Sequence, residues 1–597
     1  MKRFLPALLL AACSDPPTTP PSTTPPPTWG VPVSGGTMHI TTDGKFAVAA
    51  DPDRDRIVSV DLASGEVVAD VPLLANDEPG RVIEDAAGRV HIALRRGGGV
   101  IAMNPATGEI LSRRATCAEP RGLAFDATAD SIHVACSGGE LVTLPAGGGD
   151  PTRVLRLDRD LRDVLVVGDR LYVTRFRSAE LLRLDATGTV ISRAVSPTTK
   201  RIDFNSFDET TGTNEVDAKP AIAWRALALE DSSVLILHQR QINKQLGTSN
   251  VDVGGYGGGG GGCGDQSGPV ESAVTIHGQT GSPRAVQPAF FGALPVDIAV
   301  NKAGDRFAVV LAGSQTVRTI RASFLPGEDH DQCPQDFEQH DDAPRINDNL
   351  GTPTSVQFTP DGAVAIFYPE VPAIAIHPTA GTARIIKLPG DFGYDSGRNM
   401  FHEQTPVGIA CASCHPEGRE DGLVWKFDFG VRRTQTVAGG ILARAPFHWI
   451  GDMNDLPKLM NDVFSVRMAA GEASNSEKLS LGPWLDRIPA PVSAPALDPD
   501  AAERGRILFE SAALQCVTCH NGAQLTNNQR VNVGTGSLFK VPSLRGIGAR
   551  SPYMHDGCAK TLADRFGGVC GGGDLHGKTA QLDPAALADL VAYLDTL

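Results

Sequence analysis

Two five-residue stretches of this chain carry the same reactive set, Cys411-Ala412-Ser413-Cys414-His415 and Cys516-Val517-Thr518-Cys519-His520. Two thiols three positions apart can form thioethers with the two vinyl groups of one haem, and the imidazole that follows binds the iron from one side. The spacing therefore reads as two covalently bound c-type haems, attached through Cys411, Cys414, Cys516 and Cys519, with His415 and His520 as proximal ligands to iron. Zinc sites and thiol–disulfide redox motifs use similar cysteine spacings. Neither accounts for a histidine at the same offset twice.

The elements that must position these motifs are readable around the second one. Asp498-Pro499 is a helix start, followed by a helical stretch over 501–510 that carries Ile507, Leu508 and Phe509. Asp583-Pro584 opens another helix, whose Leu587, Leu590, Val591 and Leu594 fall at i, i+3, i+4 and i+7. Helix, haem motif and helix form the skeleton of a cytochrome c domain. Two such domains are expected, over 389–482 and 500–597, joined by a proline-rich linker at 483–499 that implies a fixed spacing.

Residues 30–388 read differently. A short apolar run after a turn recurs seven times, at Lys45–Val48, Arg89–Ile92, Ser131–Val134, Arg170–Val173, Ser233–Ile236, Arg306–Val309 and Ala363–Ile366. Asp43-Gly44, Ala87-Gly88 and Asp361-Gly362 supply tight turns before three of them. The first four copies lie 44, 42 and 39 residues apart, the length of a four-stranded propeller blade. Insertions at 199–217 and at the glycine-rich 254–264 stretch the later spacings. The expected fold class is thus mainly β plus all-α: an N-terminal seven-bladed β-propeller followed by two small α-helical cytochrome c domains. A β-sandwich would not repeat at this length. The blades resemble YVTN-type propellers, with one literal copy at Tyr172-Val173-Thr174. His91, His133 and His238 fall on expected strands and read as packed residues.

The formal charge of −15 argues against nucleic acid as a partner, since phosphate binding needs clustered Lys and Arg. It suits a soluble surface, and a redox partner protein that supplies or accepts electrons. At the N-terminus, Met1-Lys2-Arg3 and an apolar run to Ala12 read as a signal peptide over 1–12. Leu10-Ala11-Ala12-Cys13 resembles the bacterial lipobox, which makes Cys13 a lipidated membrane anchor, and 13–29 a Pro/Thr-rich tether. No later run reaches the ~20 apolar residues of a spanning helix. The expected location is the bacterial cell envelope, lipid-anchored and facing the periplasm or the outer surface. Six further cysteines suit three disulfides in such a compartment. Chain order suggests Cys117–Cys136, Cys263–Cys333 and Cys558–Cys570, one of fifteen possible pairings.

The C-terminal third, from about Asn399 to Leu597, also resembles a known family. Phe539-Lys540-Val541-Pro542-Ser543-Leu544-Arg545 and Ser551-Pro552-Tyr553-Met554-His555-Asp556-Gly557 look like the second domain of the bacterial di-haem cytochrome c peroxidases and of the related methylamine-dehydrogenase maturation enzyme. Arg432 to Thr436 and Phe447-His448-Trp449-Ile450-Gly451 look like their first domain. By that resemblance Trp449 is the electron relay between the haems, and a calcium ion accompanies them. The sequence departs from the family where peroxide is handled: Ala469 stands where the catalytic Glu would be, Val431 where the first haem's switchable His would be, and Val569 where the second haem's Met or Tyr would be. The candidate distal ligands are then His576 or Met554 for the second haem and His448 or Met468 for the first. A Met ligand would raise the potential relative to a second His. Three functions follow as expectations: electron transfer with the propeller as a binding platform, a peroxidase-like oxidoreductase acting on hydrogen peroxide, or a propeller binding module with the haems as redox sensor.

Overall fold

The seven apolar runs each become an inner strand of a sheet, the third in the fifth sheet and the second in the others: Phe46–Asp51, Val90–Leu94, Ser131–Cys136, Arg170–Arg175, Val234–Ile242, Arg306–Leu311 and Val364–Tyr368. Their residues are nearly all buried, because both faces of each strand lie against neighbouring sheets. That is why they read as continuous apolar runs rather than alternating ones. The outer strands Ile110–Ala115 and Val190–Val195 are largely exposed. The computed structural model describes residues 30–202, 215–247, 268–279, 283–290, 292–324, 345–493 and 495–597. Cys13 with its signal and tether, the Cys263–Cys333 pair and the 254–264 insertion lie outside them.

Seven antiparallel sheets follow in chain order over 38–72, 79–115, 120–156, 161–195, 199–290, 295–346 and 355–387. Six have four strands and the fifth has five. Each sheet shares an apolar cluster with the next: Val48 with Val90, Val100 with Val134, Leu141 with Val173, Leu181 with Ile236, Leu235 with Val309, and Val310 with Ile366. The seventh returns to the first through Ile374 and Val58. At that closure Met38 N donates to Ser355 Oγ at 3.2 Å. The N-terminal region is a seven-bladed β-propeller. Two of the expected disulfides form, Cys117–Cys136 and Cys558–Cys570.

The expectation of two small α-helical cytochrome c domains does not hold. After the last blade the described chain has six short α-helices: Ser396–His402, Cys411–Cys414, Leu456–Leu459, Asn475–Arg487, Pro499–Glu510 and Pro584–Leu594. The chain as a whole is mostly β-sheet. Even here the hairpins Val424–Phe427/Gly430–Arg433 and Arg530–Asn532/Leu538–Lys540 stand between the helices. The helices that were legible are those with a capped start. Asp498 and Asp583 accept from the main-chain N–H of Ala501 and Ala586, each with a proline in the first turn. Elsewhere turns dominate, with glycines at positive φ such as Gly418, Gly422, Gly534 and Gly546 punctuating the chain.

The region beside the first motif is not an independent domain either. Phe401, Ala412, Leu481 and Trp484 belong to the same apolar cluster as Trp224, Val296 and Val356 of the propeller. Blade five also extends into it: Gln245–Leu246 pairs in parallel with Lys426–Phe427. The segment before the first blade is pinned underneath, where Trp484 Nε1 donates to Gly30 O at 3.3 Å and Val33 N donates to His402 Nε2 at 3.1 Å. Trp484 is 1% exposed. Trp484→Ala is therefore expected to destabilise propeller and motif region together, by about 3–5 kcal/mol. Denaturant unfolding followed by far-ultraviolet circular dichroism checks this: a propeller transition that stays put would refute a shared core.

Candidate functional site

The first motif forms one helical turn, Cys411–Cys414, whose start is held by Ala410 N donating to Ser413 Oγ at 3.0 Å. Its histidine is fixed next: His415 Nδ1 donates to the main-chain carbonyl of Arg419 at 3.1 Å. A carbonyl only accepts, so the ring's free lone pair lies on Nε2. The second motif repeats this, with His520 Nδ1 donating to Leu525 O at 3.1 Å. Burial lowers the basicity of both rings, which favours the neutral form that binds a metal.

Each motif opens onto a cavity, about 270 Å³ at Cys411, Cys414 and His415 and about 330 Å³ at Cys516, Cys519 and His520. The four motif cysteines are unbridged. Burial pushes the Cys411 thiol up to about 12 and raises Cys414 well above the ordinary thiol range, and it also raises Cys516 and Cys519. Thiols raised in this way are protonated and poor exchange nucleophiles until a partner binds them. The cavities share a wall of Arg433, Trp449, Lys540, Pro542 and Arg550. Trp449 is buried there; its Nε1 donates to Arg433 O at 2.7 Å and its ring lies 6.4 Å from that of His555. His555 in turn stacks on Phe539 at 3.9 Å.

The other candidate residues fall as follows. His576 faces His520 across the second cavity, ring centroids 6.3 Å apart; imidazoles bound on opposite sides of one metal, each at about 2 Å, have centroids about 6 Å apart. Arg565 Nε donates to His576 Nδ1 at 2.7 Å, so here His576 carries its proton on Nε2, and binding a metal there would require that proton to leave. Met554 lines the same cavity at a positive φ of 70°. In the first cavity, Met468 is buried, packed in one cluster with Trp425 and Leu246 and directly after the π-helix Met460–Arg467. His448 lies on the first cavity's wall and hydrogen-bonds Asp452 at 3.2 Å. Among the described residues no group of three His, Cys, Asp or Glu could hold a metal ion, so the calcium implied by resemblance finds no such cluster.

The residues that sequence reasoning missed are the charges seating the motifs. Glu417, two positions past His415, is buried against Arg162 at 2.7 Å, Arg95 at 3.0 Å and Arg121 at 3.6 Å, from three successive blades. Burial alone would raise its carboxyl, but Arg95, Arg162 and Arg121 outweigh it and hold it well below the carboxylate range. Glu420 is shared by Arg433 at 3.2 Å and Arg550 at 3.0 Å, one from each haem-motif half. One signal was available: Arg81, Arg121 and Arg162 recur at one blade period on innermost strands, an unusual residue for a buried position.

With this geometry in hand, comparison with known proteins gives a partial relationship. The hydrazine synthase subunit gamma of Kuenenia stuttgartiensis is 26% identical over 254 residues, covering 32% of this chain and 72% of that protein. A solved chain of Kuenenia stuttgartiensis hydrazine synthase aligns with a TM-score of 0.44 and 14% identity, over 62% of this chain and 99% of that one. A streptogramin B lyase structure aligns with a TM-score of 0.39 and 13% identity, over 57% of this chain and 92% of that one. No family model matches the chain, the di-haem peroxidases included.

Glu417→Gln is expected to cost about 3–5 kcal/mol, because it leaves three buried guanidinium groups short of a counter-charge. The folded carboxyl is lowered relative to the unfolded chain, so its contribution is complete above roughly pH 5 and is lost as pH falls through the lowered value. Thermal unfolding should show the gap between variant and parent closing in acid. A gap that persists unchanged at low pH would contradict the charge assignment.

Proposed function

We propose that this chain is an exported redox protein that holds two covalent c-type haems, one in each cavity, and passes electrons between them. The observation that supports it most is the repeated arrangement: two apolar cavities, each with two unbridged thiols and a neutral imidazole whose lone pair is on Nε2, sharing one wall that contains Trp449. Haem, when bound, supplies reversible one-electron chemistry at iron. The chain's residues do the rest. Cys411, Cys414, Cys516 and Cys519 tether the cofactors; the carbonyls of Arg419 and Leu525 aim His415 and His520.

Trp449 is the relay in this reading, held immobile by its bond to Arg433 O and by the Arg433 guanidinium 5.7 Å from the ring. His576 is the sixth-position candidate for the second haem, and Met468 the more buried of the two candidates for the first. The propeller serves as the docking platform for a redox partner protein. The cell envelope is the location this reading requires, with Cys13 as lipid anchor; the two disulfides fit that oxidising compartment. One observation favours a more specific variant: the relative is named as a subunit of hydrazine synthase. On that likeness the chain would work as the redox subunit of a larger enzyme.

The pyridine haemochrome spectrum and intact mass of the purified protein should give two covalent haems per chain; none or one would end this reading. Peroxide should go unconsumed at every level of pre-reduction, since Ala469 leaves no acid to move its proton. Steady-state turnover would instead bring back the peroxidase.

Two substitutions probe the assigned roles. Trp449→Phe should slow electron equilibration between the haems after flash reduction at least tenfold, with haem content intact. His576→Ala should turn one haem, and only one, from six- to five-coordinate in the visible spectrum; two unchanged haems would remove His576 as a ligand.

A further inference from the structure

Both cavities are walled by cations that lack a carboxylate. Among the described residues, Arg432, Arg444 and Arg467 in the first cavity, Lys540 in both, and Arg565 in the second make no ion pair. Lys540 is the most telling of them. It is 6% exposed, at the end of the strand Leu538–Lys540, and its ammonium reaches only the main-chain carbonyl of Arg444. Arg444 spends its own donors on Gly440 O at 3.3 Å and Ala438 O at 2.7 Å. Burial, and then the neighbouring Arg444, push the Lys540 ammonium down to about 8; burial pushes Arg444 down to about 10.

A buried ammonium beside a buried guanidinium, with no anion between them, is costly unless a counter-charge arrives with a ligand. The nearby carboxylate Glu420 is already taken by Arg433 and Arg550. Each haem carries two carboxylate side chains on an otherwise apolar ring, so two haems would bring the missing negative charge to this wall. Among the described residues, Lys540 is the one cation that lines both cavities without an ion pair.

Resting on the di-haem reading above, we propose that Lys540, with Arg444 beside it, is a shared carboxylate seat that pairs with a propionate of the first haem and a propionate of the second. Lys540 thereby ties the two cofactors to one positive charge. A positive charge held in the wall of both cavities would favour the reduced, less positive state of a haem in either one. Arg565, confined to the second cavity, acts on that haem alone.

Potentiometric titration of the holoprotein, with each haem followed by its own spectrum, tests this. Lys540→Gln keeps a donor for the Arg444 carbonyl but removes the charge; both midpoint potentials should fall, and Lys540→Arg should restore them. Arg565→Gln should lower one only. Haem content by pyridine haemochrome is measured alongside: two haems with both potentials unmoved in Lys540→Gln would overturn the shared seat and leave the haem reading standing. Loss of haem from the unmodified protein would instead strike the haem reading itself. Should Lys540→Gln fail to fold, resonance Raman propionate bending bands of the unmodified protein decide. Ion-paired positions for both haems support the seat, and free-carboxylate positions for either overturn it.

Discussion

The carboxylate of Glu417 lies buried among Arg95, Arg121 and Arg162, three arginines from three consecutive blades. Removing four charged groups from water is expensive, and a buried ion cluster adds little net stability compared with an apolar replacement. What it provides is position. The residues that form it cannot slide relative to one another without leaving a charge unpaired, so the turn after His415 has one place on the propeller. Everything near the first motif depends on that placement, including the carbonyl of Arg419 that orients the His415 ring.

The same device is used a second time, between the two motif-bearing halves. Glu420, three residues further along, takes Arg433 from one half and Arg550 from the other. Arg433 also donates its main-chain N–H to His555 O, and Lys540 N donates to Trp449 O. The wall between the cavities is thus built from both halves at once, and Trp449 is locked into it. Charge and main-chain hydrogen bonds cross-link this wall, so the position of Trp449 relative to both cavities is fixed. The motif region and the propeller are bound into one body by Arg177, which reaches Ser551 O at 2.9 Å, and by the shared apolar core.

Much of the propeller was legible along the chain. Strands packed on both faces must be apolar throughout, and a closed ring of equal blades repeats that signature at a constant period; the second strands Val90–Leu94 and Ser131–Cys136 are the clearest cases. The helices Pro499–Glu510 and Pro584–Leu594 were legible for a local reason, an aspartate cap followed by proline. The misreading came from extending that local signal to whole domains. Helix–motif–helix says nothing about the hairpins between them, nor about a core shared with residues more than a hundred positions earlier, such as Trp224.

What the sequence determined by itself was chemistry encoded at short range: two thiols and an imidazole on one turn, the strand period, and the caps that start helices. These depend on neighbours within a few positions, so spacing alone expresses them. Tertiary structure decided which side chains meet. The approach of His576 to His520, the wall around Trp449, the grip of Arg95, Arg121 and Arg162 on Glu417, and the uncompensated charge of Lys540 all join residues far apart in the chain. The blade period marks Arg121 and Arg162 as unusual but does not name their partner, because such meetings follow from how seven blades close and where the returning chain is seated on them.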